Sequence, residues 1–349
     1  MSVDRKIGQM VMVGFRGLTV DEKHPVVEDI RSGRIGGVVL FDYDVPAKSA
    51  VRNIDSPVQV KKLLAELQSY SDVSLLTAID YEGGRIVRLK PGFGFPETLS
   101  HQELGKNDSS AATEKQADAM GGLLRDLGFN LNLAPVVDVN LNPDNPVIGK
   151  LERSFSADPA AVTRHAAVFV RGHHSHGVLC TLKHFPGHGS STGDSHLGLT
   201  DITETWHETE LSPYRDLIRT GLADVVMTAH VFNSRLDPDF PATLSHAVIT
   251  GILREKLGFD GVVISDDMQM GAVVEEYGFE EAVERAVNAG VDILTFANNS
   301  VFDKDIASKA VLTIKSLIRK GRIAEIRIHE SYQRINKLKS LLKSRSFPE

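Results

Sequence analysis

The chain lacks several features that would assign it to a specialised class of protein. It has one cysteine in 349 residues, so an internal disulfide is excluded, and Cys180 lies in an apolar run that predicts a buried, reduced thiol. No stretch of about 20 apolar residues is available for a transmembrane helix. The first residues, MSVDRKIGQMVMVGF, have too short an apolar stretch and no cleavage pattern for a secretory signal. We therefore expect a cytoplasmic protein that does not bind membranes.

Charge and composition exclude further classes. The net charge is -7, so there is no overall basic excess to attract nucleic acid or an anionic membrane. The hydrophobic fraction of 42% and the charged fraction of 24% are ordinary for a globular protein. No linker or low-complexity segment interrupts the chain. We expect a single domain over residues 1–349, ending in two helices at about 306–343, and a monomer.

Short apolar runs alternate with longer amphipathic stretches along the whole sequence. The runs are rich in Val, Ile and Leu with little polar alternation, which is typical of strands covered on both faces. Eight strands are predicted, at Ile7–Phe15, Gly36–Phe41, Leu75–Asp80, Leu131–Val139, Gly177–Phe185, Asp224–Val231, Gly261–Asp267 and Asp292–Ala297.

Helical patterns lie between these runs. They include Ser56–Ser69, Ala111–Leu127, Pro159–Arg171, Ser245–Leu257 and Phe279–Ala289. Eight strand–helix alternations predict an α/β protein of the (β/α)₈ TIM-type barrel class. A doubly wound open sheet is the alternative, but no glycine fingerprint follows the first strand to support a dinucleotide site there.

A barrel predicts that reactive side chains gather at the carboxyl ends of its strands. Polar residues could simply begin where buried strands stop, but that does not explain why carboxylates, Arg, Lys and His occur at so many strand ends together. The residues in question are Asp80, Asp138 and Arg153, Lys183 and His184, His230, Asp266 and Asp267, and Asn298 and Asn299.

The segment from Lys183 to His196, KHFPGHGSSTGDSH, is the densest in titratable side chains. Asp194 and His196 are two residues apart, and a carboxylate beside an imidazole can orient and tune a proton-transfer group near neutral pH. Three chemistries fit: retaining glycoside hydrolysis, metal-assisted hydrolysis and a non-catalytic sugar-binding barrel. In the second, zinc would be held by His184, His188, His196 and Asp194.

Six ordered motifs between about Gln9 and Asn298 resemble glycoside hydrolase family 3, and more narrowly its bacterial β-N-acetylglucosaminidases. They are KHFPGHG with DSH, IDYEGGRIVRL, RSF, LAPVVDVN, MTAHV with PATLS, and VISDDMQM. The resemblance implies a (β/α)₈ barrel in which Asp266 is the nucleophile and Asp267 supports it. His196 would protonate the departing oxygen and then deprotonate water, while Asp194 would orient its ring.

The resemblance also implies that Asp80, Arg153, Lys183 and His184 hold the hydroxyl and N-acetyl groups of the sugar, with no cofactor and no metal. The substrate would be a terminal β-linked N-acetylglucosamine of a cell-wall (peptidoglycan) fragment. Phosphorolysis by the same dyad is the nearest alternative reaction.

Three structural alternatives stay open at this level. Ile148-Gly149 is followed by an apparent two-residue insertion before Arg153, which could shift that side chain to a surface pair with Glu152 or Asp158. Asp138 could form an ion pair without contacting substrate, and His230 could be a core histidine.

Overall fold

The computed structural model describes residues 1–106, 109–193 and 198–344. Eight parallel strands pair in chain order, and the last closes on the first to form a barrel. They are β1 (Val11–Gly14), β2 (Gly37–Leu40), β3 (Leu76–Ile79), β4 (Leu131–Asn132), β5 (Leu179–Phe185), β6 (Val225–Thr228), β7 (Val262–Asp267) and β8 (Ile293–Phe296).

Helices surround this barrel and confirm the predicted (β/α)₈ architecture. A π-helix, Ala247–Lys256, follows β6. The α-helices are α1 (Val3–Gln9), α2 (Pro25–Arg31), α3 (Pro57–Ser69), α4 (His101–Gly105), α5 (Ala111–Leu127), α6 (Pro159–His174), α7 (Ser212–Arg219), α8 (Gly271–Tyr277), α9 (Phe279–Ala289), α10 (Ile306–Arg319) and α11 (Glu325–Ser344).

Local sequence signals explain where several helices begin. The Ser56 side chain accepts a hydrogen bond from the backbone N–H of Gln59, and Pro57 occupies the first helical position of α3. Asp158 and Pro159 start α6 in the same way. These signals depend only on neighbouring residues, so the sequence predicts these helix starts correctly.

Three predicted elements differ from the structure. The first strand begins at Val11, because Ser2 caps a helix that occupies Val3–Gln9 and packs against α11. The fourth strand stops after Asn132, and Pro135, which has no N–H to donate to a ladder, follows closely. The helix predicted at Ser245–Leu257 is present, but over 247–256 its hydrogen bonds follow the π pattern.

Helix α11 packs at the amino-terminal end of the barrel, where its residues contact Asp292 and Gly36. Asp292, directly before β8, is fully buried and accepts hydrogen bonds from three arginines, Arg254, Arg327 and Arg334. Arg327 and Arg334 belong to α11, so this cluster fixes that helix to the barrel. The two helices predicted at about 306–343 are present as α10 and α11. The single-domain assignment stays a prediction.

Cys180 is buried in β5, as expected from its apolar surroundings. Among the residues the structure describes, no helix has both the length and the apolar character needed to cross a membrane.

Candidate active site

Two short segments deliver the charged side chains to the barrel mouth. Asp80 follows β3 directly, and the extended residues Tyr81–Gly83 continue from it. Lys183 and His184 lie within β5, whose register with β6 shifts between Leu182 and Phe185. Because these strands are parallel, their carboxyl ends meet on one side of the barrel. The predicted clustering of residues from distant parts of the chain is therefore present.

Lys183 is the centre of this cluster. Its Nζ lies 2.8 Å from Oδ1 of Asp80 and 2.7 Å from Oε1 of Glu82, and only 2% of its side chain is exposed. Although burial opposes ionisation of these groups, the two carboxylates raise the pKa of Lys183, and Lys183 with Arg88 lowers the pKa of Asp80. Lys183, Asp80 and Glu82 therefore stay charged at neutral pH.

Arg153 forms the second half of the cluster. Its Nε and Nη2 donate to Oε2 and Oε1 of Glu82 at 2.9 and 2.8 Å, a bidentate pair in which the arginine side chain is 10% exposed and the glutamate side chain 1%. Burial opposes the charge on Glu82, but Arg153 and Lys183 lower its pKa to about 2. The surface pairs with Glu152 or Asp158 are therefore wrong for this arginine.

The apparent insertion before Arg153 is absorbed by a turn. Glu152 has a left-handed φ of 60°, and its N–H donates to the carbonyl of Gly149 at 3.0 Å. The N–H of Arg153 donates to the carbonyl of Ile148 at 3.0 Å. The extra residues loop outward, so the arginine side chain still reaches the mouth.

His184 joins Arg153 to Asp138. Its Nε2 lies 3.1 Å from Nη2 of Arg153, which can only donate, so Nε2 accepts. The proton of the neutral ring is then on Nδ1, which donates to Oδ2 of Asp138 at 2.7 Å. Burial, with Arg153 and Lys183 acting in the same direction, holds the pKa of His184 well below its ordinary value. Asp138 thus orients an imidazole of the cluster.

The two carboxylates at the end of β7 have different surroundings. Asp267 is buried, and its Oδ1 accepts from the N–H groups of Gln269 and Ala297 at 3.0 Å each, which fastens β7 to β8. Asp266 is partly exposed, and its charge acts on the imidazoles of His184 and His188. Asp266 is therefore close enough to these imidazoles to act on them electrostatically, and its Oδ1 also accepts from the N–H of Asp267 at 2.7 Å.

Comparison with known proteins identifies the family of this chain. The sequence pattern of the glycosyl hydrolase family 3 N terminal domain matches residues 2–338. This chain belongs to glycosyl hydrolase family 3. The match confirms the family that the six motifs indicate and places the chain among the glycoside hydrolases.

Individual family 3 proteins are similar over most of this chain. A beta-hexosaminidase of Tolumonas auensis is 35% identical over 292 residues, which are 83% of this chain and 83% of that protein. The beta-hexosaminidase A of Pseudoalteromonas piscicida is 30% identical over 98% of this chain. The structure of a family 3 beta-N-acetylglucosaminidase from Paenibacillus sp. str. FPU-7 covers all of this chain with a TM-score of 0.90 and 36% identity. This chain spans only 62% of the Pseudoalteromonas protein and 64% of the Paenibacillus chain.

Two residues of the charged cluster around Lys183 and Arg153 have no role predicted from the sequence. Glu82 contacts both Lys183 and Arg153, and Nη2 of Arg88 lies 3.4 Å from Oδ2 of Asp80. A signal for Glu82 was available, because residues two apart on an extended segment lie on the same face, as Asp80 and Glu82 do. Arg88 reaches Asp80 only through the short antiparallel hairpin of residues 81–87, which local patterns do not specify.

Three further predicted residues have different outcomes. Asp194 and His196, the proposed acid/base dyad of this family 3 chain, lie outside the described residues. His230 is fully buried, and its Nε2 contacts the carbonyl oxygen of Asp267 at 3.0 Å. His230 is therefore a core histidine, which is one of the two alternatives that the sequence left open for it.

The zinc alternative conflicts with the contacts of His184. Both of its ring nitrogens are engaged, one by Asp138 and the other by Arg153, whereas a ligand needs a nitrogen lone pair for the metal. Two of the four predicted zinc ligands, Asp194 and His196, lie outside the described residues, and within residues 1–106, 109–193 and 198–344 no three His, Cys, Asp or Glu side chains are grouped to hold a metal ion.

Proposed function

We propose that this family 3 chain is a retaining exo-β-N-acetylglucosaminidase that removes terminal β-linked N-acetylglucosamine. The observation that carries the proposal is the charged cluster of Asp80, Glu82, Lys183 and Arg153 at the barrel mouth, with Asp266 close enough for its charge to act on His184. Such a cluster suits a sugar, whose hydroxyl groups both donate and accept hydrogen bonds.

The groups that would bind the sugar are already oriented by each other. Lys183 is held between two carboxylates, and Arg153 is held by both oxygens of Glu82. Asp80 keeps 16% of its side chain exposed, so its oxygens can accept from substrate hydroxyls while Lys183 and Arg88 maintain its charge. Little reorganisation is then needed on binding, which favours precise placement of the anomeric carbon.

The reaction would proceed in two displacements. Asp266 attacks the anomeric carbon and forms a glycosyl-enzyme bond as the glycosidic C–O bond breaks, and His196 protonates the departing oxygen. His196 then takes a proton from water, which attacks the same carbon and releases Asp266 as a carboxylate. Two inversions give net retention. Asp194 would hold the ring of His196 and stabilise its protonated form.

The substrate assignment follows the family resemblance and the names of the related enzymes. We infer that the natural substrate is a peptidoglycan fragment in which N-acetylglucosamine is linked to an anhydro-muramic sugar or muropeptide. The chain would act in the cytoplasm as a monomer, without a cofactor and without nucleic acid or membrane partners.

Release of p-nitrophenol from its β-N-acetylglucosaminide and β-glucoside, each with and without phosphate, tests this proposal. We expect phosphate-independent turnover of the N-acetyl sugar alone. Phosphate-dependent formation of a sugar 1-phosphate would make the protein a phosphorylase, and preference for the glucoside would contradict the N-acetyl assignment.

The role of Asp266 has a separate test. Asp266→Asn should abolish turnover without changing the melting temperature, and a mechanism-based fluorosugar should label Asp266 in the wild type. Asp260→Asn is the matched control, because its side chain is 84% exposed and lies near the other end of the same strand. Full activity of Asp266→Asn, or labelling of another residue, would contradict the assignment.

A further inference from the structure

Glu210 is a buried carboxylic acid outside the charged cluster. It lies in the short 3₁₀ turn Glu208–Leu211 that precedes α7, and 1% of it is exposed. Its Oε2 accepts from the N–H of Gly189 at 3.1 Å, and its Oε1 is 3.4 Å from the N–H of His207. A fully buried carboxylate that contacts the backbone of another segment restricts the position of that segment.

The segment that Glu210 contacts is residues 186–191, which we call the loop root. A Cβ added to Gly187 would lie 2.7 Å from the Cβ of Glu210 and 2.8 Å from its Oε2, so the glycine allows direct packing on the acid. A Cβ added to Gly189 would lie 1.8 Å from the carbonyl oxygen of Val139. The loop root is thus clamped between Glu210 and the segment that follows β4.

The loop root is also held by Asp138. The N–H of His188 donates to Oδ1 of Asp138 at 2.8 Å, and the same carboxylate orients the ring of His184. Asn145 donates to the carbonyl of His188 at 2.7 Å and to Oγ of Ser191 at 3.0 Å. A displacement at Glu210 would therefore move the loop root relative to the bound sugar.

We propose that Glu210 is a positioning residue of the glycosidase reaction, which fixes the loop root against Asp138. The inference rests on the proposed function, because the loop root ends three residues before Asp194 and five before His196 in the sequence. A small misplacement of a proton donor relative to the glycosidic oxygen slows the chemical step more than it weakens sugar binding.

The charge of Glu210 changes near neutral pH. Burial raises the pKa of Glu210 to about 7, and Asp138, whose own pKa burial also raises, acts in the same direction against the opposing effect of the Ser190 hydroxyl. The other titratable groups nearby are His188 and Tyr214, and burial lowers the pKa of the first and raises that of the second, so both are neutral there. Ionised Glu210 accepts more strongly from Gly189, so the loop root is held more firmly above pH 7.

Glu210→Gln tests the proposal, because an amide has one acceptor oxygen and its NH₂ cannot accept from Gly189 or His207. We expect kcat for the p-nitrophenyl β-N-acetylglucosaminide to fall by about tenfold to a hundredfold, with KM within about twofold. The rise of kcat through pH 7 should disappear, while the Kd for N-acetylglucosamine stays at the wild-type value. Glu208→Gln is the matched control in the same turn, since Glu208 is 63% exposed and pairs with Lys256 on the surface.

The outcomes separate this inference from the proposed function. If the wild type does not turn over the substrate, both are overturned. If the wild type is active and Glu210→Gln has the same kcat and pH profile, or the same loss occurs in Glu208→Gln, the inference alone is overturned. Should Glu210→Gln fail to fold, Glu210→Asp keeps the charge on a shorter side chain. It should lower kcat and retain the inflection near pH 7, and unchanged kcat would overturn the proposal.

Discussion

Arg153 holds both carboxylate oxygens of Glu82, at 2.9 and 2.8 Å, although the two residues are 71 positions apart in the chain. The pair connects the segment after β3 with the loop after β4, and it also brings Nη2 of Arg153 to His184. One guanidinium therefore orients an acid and an imidazole at the barrel mouth.

Replacement of Arg153 by lysine should impair substrate binding and turnover. An ammonium group cannot form two parallel hydrogen bonds with Glu82 and reach His184 as well. We expect kcat/KM for the N-acetylglucosaminide to fall by about tenfold to a hundredfold, in initial-rate measurements at pH 7. The control is Arg235→Lys, because Arg235 is 59% exposed and pairs with Glu204 on the surface. Equal rates for the two variants would show that the bidentate geometry is dispensable.

Gly189→Ala should destabilise the protein. The new Cβ would lie 1.8 Å from the carbonyl oxygen of Val139, and backbone atoms on both sides would have to shift. We expect a loss of about 3 kcal/mol or more in the free energy of unfolding, measured by urea denaturation. Gly92→Ala is the control, since a Cβ there meets nothing within 4 Å. A wild-type unfolding curve for Gly189→Ala would mean that the loop root can move without cost.

Acidification should unfold the protein partly through buried histidines. Burial lowers the pKa of His101 to about 3 and that of His173 to about 4, from an ordinary value of 6.5. Between the lowered pKa of each folded histidine and the ordinary value of 6.5, the unfolded chain binds more protons than the folded one. The free energy of unfolding therefore falls as the pH drops from about 6.5 towards 3 for His101 and towards 4 for His173. Each such histidine contributes a slope of about 1.4 kcal/mol per pH unit.

The test of this slope is urea denaturation between pH 7 and pH 4.5. His101 packs edge-on against Phe155 with ring centroids 4.1 Å apart, so His101→Phe keeps an aromatic ring and removes the titration. This variant should show a shallower loss of stability with acid, whereas His246→Phe, at an exposed site, should match the wild-type slope. Identical slopes for all three proteins would contradict the prediction.

Asp292→Asn should detach the C-terminal helix from the barrel. The carboxylate is fully buried and accepts from Arg254, Arg327 and Arg334, so its loss leaves three partly buried guanidinium groups without their anion. Removing one partner of a buried charge pair costs about 3–5 kcal/mol. Thermal unfolding followed by circular dichroism measures this loss. Asp260→Asn removes an exposed pair with Lys337 of the same helix and should melt like the wild type.

Parts of the structure that depend on neighbouring residues could be predicted from the sequence. Helix α3 begins at its Ser56 cap, and α5 spans Ala111–Leu127 as predicted, because capping and hydrophobic periodicity are local properties. Strand ends were also informative. Asp80, Lys183 and Asp266 each come at or near the carboxyl end of an apolar run, so their positions at the barrel mouth follow from the order of residues.

Local patterns misjudged the ends of the barrel. The apolar run near the amino terminus reads as one strand, but Ile7 and its neighbours form a helix because α11 offers an apolar surface for them to cover. Only the folded chain brings these two segments together. The partners of Asp292 in α11 were hidden from the sequence for the same reason.

Residue order is sufficient to specify an eight-stranded barrel of glycosyl hydrolase family 3 and the strand ends that carry chemistry. It does not specify the partners, which depend on the folded chain: Lys183 with Asp80 across 103 positions, Arg153 with Glu82, and Glu210 with the loop root. Periodicity, caps and motifs are encoded by neighbouring residues. Contacts between distant residues arise only when the closed ring of strands sets their distances and removes them from water.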